Sequence, residues 1–174
     1  MAGLRKGKCY RHITRAYTRK SKFRKKSYIA AIPTTKIIKF DMGNVKKKFQ
    51  YEVNLISKNP IQIRHNALES SRMVVNRKLN EKLSDINYHF KLRVHPHHVL
   101  RENKMLTGAH ADRMQTGMQR AFGRAVGIAA QVKKGKEVFS IRVNKKYLEI
   151  TKEILKTATP RLPGNYIIEV NQIN

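Results

Sequence analysis

The chain has 174 residues and carries 38 Lys+Arg against 11 Asp+Glu, a formal net charge of +27. Such a charge repels itself unless a polyanion neutralises it, which argues against an enzyme acting on a small substrate and favours nucleic acid over a membrane surface. No apolar run approaches the ~20 residues that span a bilayer, no signal peptide is visible, and the single Cys9 excludes a disulfide within the chain. We therefore expect a cytoplasmic protein without a membrane partner.

The N-terminal region is the most basic part of the chain. Its first 40 residues contain 13 Lys/Arg and no acidic residue, with six bases in Arg19–Lys26. Such a segment cannot fold on its own. We predict a basic arm over residues 1–35 that folds against phosphates; a solubilising tail or targeting signal is the alternative. Four aromatic residues lie among the bases and either stack on RNA or pack on the protein's own core: Tyr10, Tyr17, Phe23 and Tyr28.

Residues 36–174 are expected to form one folded domain. Alternating polarity predicts six strands. In one of them His89, Lys91 and Arg93 point outward, where the cations, with Arg142 of a later strand, meet either solvent or the minor groove and phosphates of A-form RNA. The predicted strands are Lys36–Asp41 (followed by the turn signal Asp41-Met42-Gly43), Gln50–Ser57, Asn87–Val94, Ile128–Val132, Glu137–Val143 and Tyr166–Val170.

Two helices are predicted between these strands. Asn66 with Glu69 three residues later resembles a capping box and predicts a helix to about Leu83. A second helix is expected from Asn144 to about Ala158. Helices at these spacings indicate an α+β fold, with two helices packed on a mainly antiparallel sheet. The inner stripe of the first helix is Leu68, Ser71, Val75, Leu79 and Leu83.

The segment at residues 93–127 is the most informative about function. A Pro/His corner leads into a long loop at about residues 101–115, and Thr116–Gly127 then interleaves glycines with Arg120 and Arg124. Glycine lets a backbone approach another molecule closely, and arginine matches phosphate geometry. This combination is typical of contact with a polyanion.

The same segment offers few residues for catalysis or metal binding. His95, His97 and His98 are adjacent but lack a supporting Cys or carboxylate, so phosphate contact or corner packing is favoured over a metal. The glycine-rich run fits neither a phosphate loop nor a dinucleotide fingerprint. We find no nucleophile–base pair, and therefore predict no cofactor, no metal and no catalytic residue. A free-standing nucleic-acid-binding regulator and an RNA-directed enzyme remain as alternatives.

Several motifs resemble one ribosomal protein family. HPHHVLRENKML, GAHADRMQTGM and AFG follow one another in residues 95–123, and RKGKCYRH lies at residues 5–12. Lys39–Asn44 and Ile63–Glu69 also match. Together they resemble the universal large-subunit ribosomal protein sixteen family, in its archaeal and eukaryotic L-ten-e branch, and the chain length is similar to archaeal members. One departure is Ala125, where the family commonly has proline after F-G-[KR].

The resemblance implies a fold and a role. The fold would be an α+β hammerhead-type sandwich with an extended basic arm. The role would be structural: to bind large-subunit rRNA, to help organise the aminoacyl-tRNA site near the peptidyl transferase centre, and to join late in subunit assembly. The implied partners are large-subunit rRNA, nearby tRNA and other large-subunit ribosomal proteins, with no homo-oligomer.

The predicted contact residues fall into two sets. The tRNA-proximal loop, by the resemblance, contains Arg101, Asn103, Lys104, Arg113 and Gln115. The rRNA-binding set combines arm cations, outward strand cations, the histidine corner and the arginines of the glycine-rich run: Arg5, Lys6, Lys8, Arg11, Arg15, Arg19, Lys20, Lys22, Arg24, Lys25, Lys26, Lys91, Arg93, His95, His97, His98, Arg120 and Arg124.

Overall fold

The computed structural model describes residues 5–20, 23, 25, 29, 31–105, 108–110, 117–119 and 122–173. Within these ranges, strands and helices follow one another along the chain with three short 3-10 turns, at Gly7–Tyr10, Lys145–Tyr147 and Thr159–Arg161. The strands and helices are β1 (Asp41–Gly43), β2 (Tyr51–Ser57), β3 (Ile61–Arg64), α1 (His65–Leu83), β4 (Tyr88–Leu92), β5 (His98–Glu102), β6 (Arg124–Val132), β7 (Glu137–Val143), α2 (Leu148–Lys156) and β8 (Tyr166–Gln172).

The strands form two antiparallel sheets. The five-stranded sheet has the order β1-β4-β7-β2-β8, and the three-stranded sheet has the order β3-β6-β5. The predicted α+β class with two helices and antiparallel pairing is therefore confirmed. However, the strands form two sheets, where a single sheet was expected. Strand β2 is already paired on both sides, with β7 and with β8, so β3 does not pair with it and pairs with β6 instead.

The main core lies between the five-stranded sheet and the two helices. Val53, Phe90, Phe139 and Ile141 are fully buried. The five predicted inward residues of α1, at positions 68, 71, 75, 79 and 83, are all buried, as predicted. Burying each leucine among them contributes about 1.5–3 kcal/mol, so this stripe holds α1 on the core. Among the described residues, neither helix is long and apolar enough to cross a membrane.

Both helix starts differ from the prediction. The expected capping box is absent, because Asn66 Oδ1 accepts from the Ala67 N–H at 3.0 Å while Glu69 pairs with Arg72 Nε at 2.8 Å. Helix α1 starts at His65, with Arg64 as an N-cap whose side chain makes no capping hydrogen bond. The second helix begins as a 3-10 turn, so its α-helical part is shorter than predicted.

The predicted strands also need correction. Lys36–Asp41 is wrong as a strand: β1 lies at Asp41–Gly43, the residues taken as a turn. Gly43 has a φ of +79°, and a Cβ there would lie 2.4 Å from the Tyr88 carbonyl oxygen, so only glycine fits. Strands β3 and β5 were not predicted. Strand β6 begins at Arg124, four residues before the predicted start, and β8 runs two residues further.

The predicted outward face of strand β4 was wrong at one position, His89. His89 was expected to point to solvent, but it is 6% exposed, and its Nε2 lies 3.1 Å from Asp41 Oδ1. Asp41 belongs to β1, which pairs with β4 at this point. The residues of β1 therefore cover a position that period-2 alternation places outside.

Candidate nucleic-acid interface

Residues 5–20, called the strap below, lie across one face of the three-stranded sheet. At the β3 edge, the Gln62 N–H donates to the Arg11 carbonyl at 3.2 Å. Over the central strand, Gln131 Nε2 donates to the Thr14 carbonyl at 2.9 Å. At the β5 edge, the Val99 N–H donates to the Tyr17 carbonyl at 3.0 Å. The strap thus bonds to both outer strands, whose edges would otherwise be open to aberrant pairing.

The strap is held mainly by its backbone oxygens. Besides the bonds above, Gln62 Nε2 donates to the Tyr10 carbonyl at 2.9 Å, and Arg64 Nη1 donates to the Arg5 carbonyl at 3.3 Å. Because these anchors bind carbonyl groups, they do not use the side chains of Lys6, Lys8, Arg11 and Arg15, whereas Arg5 Nε is paired with Glu102 Oε1 at 2.6 Å. Lys20 is half-buried, whereas the other predicted contact residues of the strap are exposed: Arg5, Lys6, Lys8, Arg11, Arg15 and Arg19.

Two anchoring residues were missed in the sequence. Gln62 and Gln131 are directly opposite each other on β3 and β6, and their side chains are joined by a 3.1 Å hydrogen bond. Gln62 is only 5% exposed. The sequence did contain a signal: each of two short apolar runs includes one glutamine. A glutamine in such a run is expected to be buried, and a buried amide needs hydrogen-bonding partners.

Two of the four aromatic residues of the arm pack on the body. The Arg64 guanidinium lies 5.0 Å from the Tyr10 ring centre, and Tyr17 packs edge-on against Phe122 at 5.5 Å. These two tyrosines therefore pack on the protein itself. Phe23 is 73% exposed, and Tyr28 lies outside the described residues.

The base of the long loop is closed by Arg101. Its guanidinium lies 4.6 Å from the Tyr17 ring centre and 4.1 Å from that of Phe122, and its Nη1 donates to the Phe122 carbonyl at 3.1 Å. Gly123 has a φ of +76°, and a Cβ there would lie 2.7 Å from the Glu102 carbonyl carbon. The two ends of the loop therefore meet backbone to backbone.

The predicted loop residues are placed as follows. Arg101 lies within β5 rather than in the loop, and Asn103 and Lys104 follow the end of that strand. Arg113 and Gln115 lie outside the described residues, so their tRNA contact stays a prediction. Ala125, where the family has proline, lies within β6 opposite Arg101 rather than in a turn.

The histidine corner serves packing at one position at least. His98 is 6% exposed, and its Nδ1 accepts the Tyr17 N–H at 2.8 Å. Burial lowers the pKa of His98, with smaller contributions from His97 and nearby cations. His97 Nδ1 donates to the His95 carbonyl at 3.1 Å, and the exposed His95 ring lies 5.5 Å from that of Phe40. Among the described residues, no three His, Cys, Asp or Glu are placed to hold a metal ion.

The outward cations of the five-stranded sheet lie in an ion-pair network. The face of this sheet that points away from the helices is called the outer face below. On it, Lys91 Nζ lies 3.6 Å from Asp41 Oδ1. Arg93 Nη2 lies 2.8 Å from Glu52 Oε1, and Arg142 Nε lies 3.1 Å from the same oxygen. These predicted or candidate contact residues thus already have carboxylate partners.

The remaining predicted rRNA-binding cations are either exposed or outside the described residues. Arg124 is exposed at the first position of β6, and Lys25 is exposed in the arm. The other predicted rRNA-binding residues lie outside the described part of the chain: Lys22, Arg24, Lys26 and Arg120.

Comparison with known proteins gives a consistent family. A sequence model described as ribosomal protein L16p/L10e matches residues 18–169. The large ribosomal subunit protein uL16 of Methanospirillum hungatei is 46% identical over 166 residues, covering 94% of each chain. That of Staphylothermus marinus is 46% identical over 161 residues, covering 92% of this chain and 89% of the relative. That of Sulfolobus acidocaldarius is 45% identical over 174 residues, covering 98% and 96%.

Proposed function

The chain belongs to the ribosomal protein L16p/L10e family, and from that membership we propose that it binds large-subunit rRNA through the strap and helps to organise the aminoacyl-tRNA site. Family membership itself gives the general role: the protein is a structural component of the large ribosomal subunit and not an enzyme. Membership of this family confirms the predicted family and the prediction that the protein is not an enzyme.

The observation that supports RNA binding best is how the strap is anchored. Most of its hydrogen bonds to the body use carbonyl oxygens, and the side chains of Lys6, Lys8, Arg11 and Arg15 lie exposed along its length. Phosphate binding by such side chains releases condensed counterions from RNA and is therefore strongly salt-dependent. A strap already fixed on the sheet also loses less conformational entropy on binding than a disordered tail would.

The strap is a better candidate for RNA contact than the outer face. Lys91 and Arg93 are ion-paired, so binding phosphate there would require each cation to exchange or share its carboxylate partner. The repulsion between that carboxylate and phosphate would offset part of the gain. We therefore assign the main RNA contact to the strap and a lesser part to Lys91 and Arg93.

The long loop is the proposed tRNA-proximal element. Its ends are fixed to each other at Glu102–Asn103 and Phe122–Gly123, beside the strap. Strap and loop base are thus joined through Arg101, so docking of the strap on rRNA would orient the loop that carries Arg113 and Gln115. Other large-subunit ribosomal proteins are the remaining proposed partners, and incorporation late in assembly is the proposed timing.

Cell fractionation tests the proposal. A lysate of the native cells is run on sucrose gradients at low and moderate salt, and the protein is followed by immunoblot. We expect co-sedimentation with the large subunit at near-unit stoichiometry in both conditions. Protein that stays at the top of the gradient at low salt would overturn the proposal and favour a free-standing regulator.

The loop assignment needs a separate experiment. The double variant Arg113→Ala, Gln115→Ala should enter large subunits at the normal level, because the strap is intact, but those subunits should bind aminoacyl-tRNA more weakly. The matched control is Lys133→Ala, Lys134→Ala in the exposed β6–β7 turn. Loss of the double variant from subunits would show that the loop is an rRNA anchor instead.

A further inference from the structure

We propose that a pocket between the start of the strap and the three-stranded sheet holds the base of one unstacked RNA nucleotide, with a preference for guanine. The inference rests on the proposed function, because it names the part of the RNA that the strap end would take. Sequence-selective RNA recognition typically uses unstacked bases held by aromatic and arginine planes and read at their polar edges.

The pocket has the size and floor for a single base. Its volume is about 260 Å³, below the range of about 300–1,000 Å³ that is common for drug-sized ligands. Its floor is formed by β5 and β6, where Leu100, Val126 and Ile128 supply apolar surface. A flat aromatic ring gains from covering such a floor, whereas a bare phosphate does not.

The floor is deep because β6 carries a glycine at this point. Gly127 lies opposite Leu100 in the sheet. A Cβ built on Gly127 would have only Leu100 Cδ1 within reach, at 4.0 Å, so no neighbouring atom requires glycine there. The missing side chain leaves open volume, and that volume belongs to the pocket.

The mouth of the pocket is basic. Arg5, Arg64 and Lys104 line it, together with the Tyr10 ring, over which the Arg64 guanidinium lies. A nucleotide whose base enters the pocket would leave its phosphate at this rim, where arginine can bind two phosphate oxygens at once. The positive end of α1, which starts at His65 on the pocket wall, adds to the same potential.

The wall contains one carboxylate, and this residue suggests the base preference. The Glu102 side chain is 17% exposed and accepts from Arg5 Nε through Oε1 at 2.6 Å. A carboxylate has about four acceptor sites, so the pair does not exhaust it. Guanine offers two adjacent N–H donors on its Watson–Crick edge, adenine and cytosine offer an amino group, and uracil offers a single ring N–H. The Glu102 carboxylate, which only accepts hydrogen bonds, therefore ranks guanine first and uracil last.

Titration of the full chain by NMR tests the inference. We expect guanosine 5′-monophosphate to shift the amide signals of Leu100 and Gly127 saturably at low salt. Ribose 5-phosphate, which has the anion without a base, should leave these two signals unchanged, and uridine 5′-monophosphate should bind at least threefold more weakly. Equal shifts from ribose 5-phosphate would overturn the inference, because they would show phosphate binding alone.

Variants at the floor separate the pocket from general RNA affinity. Gly127→Val should weaken guanosine monophosphate at least tenfold, while Ala125→Val, two residues away on the same strand, should leave it unchanged. Gly127→Ala is the milder filling variant if valine perturbs folding, and should weaken binding less. Unchanged nucleotide binding in a folded Gly127→Ala or Gly127→Val variant would reject the pocket.

The outcomes for the two proposals are distinguishable. A wild-type chain that enters large subunits but shows no base-dependent shift would leave rRNA binding intact and reject only the pocket. A chain that shows the shift but never sediments with subunits would reject the proposed function and leave a base-binding pocket in some other RNA-binding protein.

Discussion

The strap and the outer face hold their cations in opposite ways. The strap has seven Lys/Arg and no acidic residue in residues 5–20, and the body binds it mainly by its carbonyl groups, with an ion pair between Arg5 and Glu102 at its start. On the outer face, Lys91, Arg93 and Arg142 each lie within 3.6 Å of a carboxylate oxygen. In a chain of net charge +27, the number of cations on a surface is therefore a poor guide to RNA contact. Whether they already have partners is more informative.

The largest expected effect comes from removing strap cations. The triple variant Lys8→Gln, Arg11→Gln, Arg15→Gln should bind large-subunit rRNA much more weakly and with a salt dependence whose logarithmic slope is smaller by about 2–3, since each phosphate contact contributes about 0.7–0.9. Its folding should be unchanged. Affinity measured across a range of salt concentrations gives the slope.

The matched control removes the same charge from the outer face. Lys91→Gln, Arg93→Gln, Arg142→Gln should change the slope by less than about 1, because these cations are paired within the protein. Equal slope changes in the two triple variants would erase the distinction between the surfaces.

The next largest expected effect is a loss of folding stability when an ion pair of the outer face is broken. Arg93→Gln leaves Glu52, whose side chain is 16% exposed, with Arg142 as its remaining ion-pair partner within the described part of the chain. Leaving a charge partly unpaired at this burial should lower the free energy of unfolding by about 1–3 kcal/mol. Urea denaturation measures it. The double variant Arg93→Gln, Glu52→Gln should recover part of the loss; no recovery would mean that the ion pair is not the cause.

A smaller effect is expected where the strap meets the loop. Arg101→Lys keeps the charge but loses the planar contact with Tyr17 and Phe122, a loss of about 0.5–1 kcal/mol at an exposed site. Cleavage near Tyr17 in limited proteolysis should become faster, because the strap is less firmly held. Arg124→Lys, at the exposed start of β6, is the control. Equal cleavage rates for both variants would contradict the assigned role of Arg101.

The smallest expected effect is a pH dependence of strap docking. Burial lowers the pKa of His98 below its ordinary value of 6.5, so the unfolded chain takes up the proton first as the pH falls. The stability that neutral His98 contributes is therefore present above about pH 6.5 and is lost on acidification. His65 adds in the same direction, since burial lowers its pKa as well.

Replacing His98 isolates its part of that dependence. His98→Asn offers an amide oxygen near the position of Nδ1 and has no titrating ring. Its stability, followed by urea denaturation at pH 7.5 and 5.5, should fall less on acidification than that of the wild type. His97→Asn is the control. An unchanged pH dependence in His98→Asn would exclude His98 as a contributor.

Sequence patterns predicted the helices and strands whose buried and exposed residues alternate with a regular period along the element itself. The stripe of α1 and the alternation of β2, β4 and β7 are long enough to show their periods, and these elements were placed within a few residues. Strands β3 and β5 have four and five residues and carry polar side chains such as Gln62 and Arg101. Part of their cover comes from the strap, which is distant in the sequence, so no local pattern marks them.

The sequence predicted which residues give the candidate site its positive charge, but not which side chains and backbone groups bind one another. The basic arm was evident from composition, and Lys91 and Arg93 were placed outward by alternation. That His98 would bind the backbone of Tyr17, 81 residues away, has no local signal. The same holds for Glu52 as the partner of Arg93, since it is contributed by another strand of the sheet.

Footprinting of lysines in intact large subunits tests the central claim most directly. Native subunits and the free chain are acetylated under the same conditions, and each lysine is quantified by mass spectrometry. We predict that Lys6 and Lys8 become strongly protected in the subunit, whereas Lys91 keeps most of the reactivity that it has in the free chain. Protection of Lys91 with unchanged reactivity of Lys6 and Lys8 would contradict the account and place the RNA on the outer face.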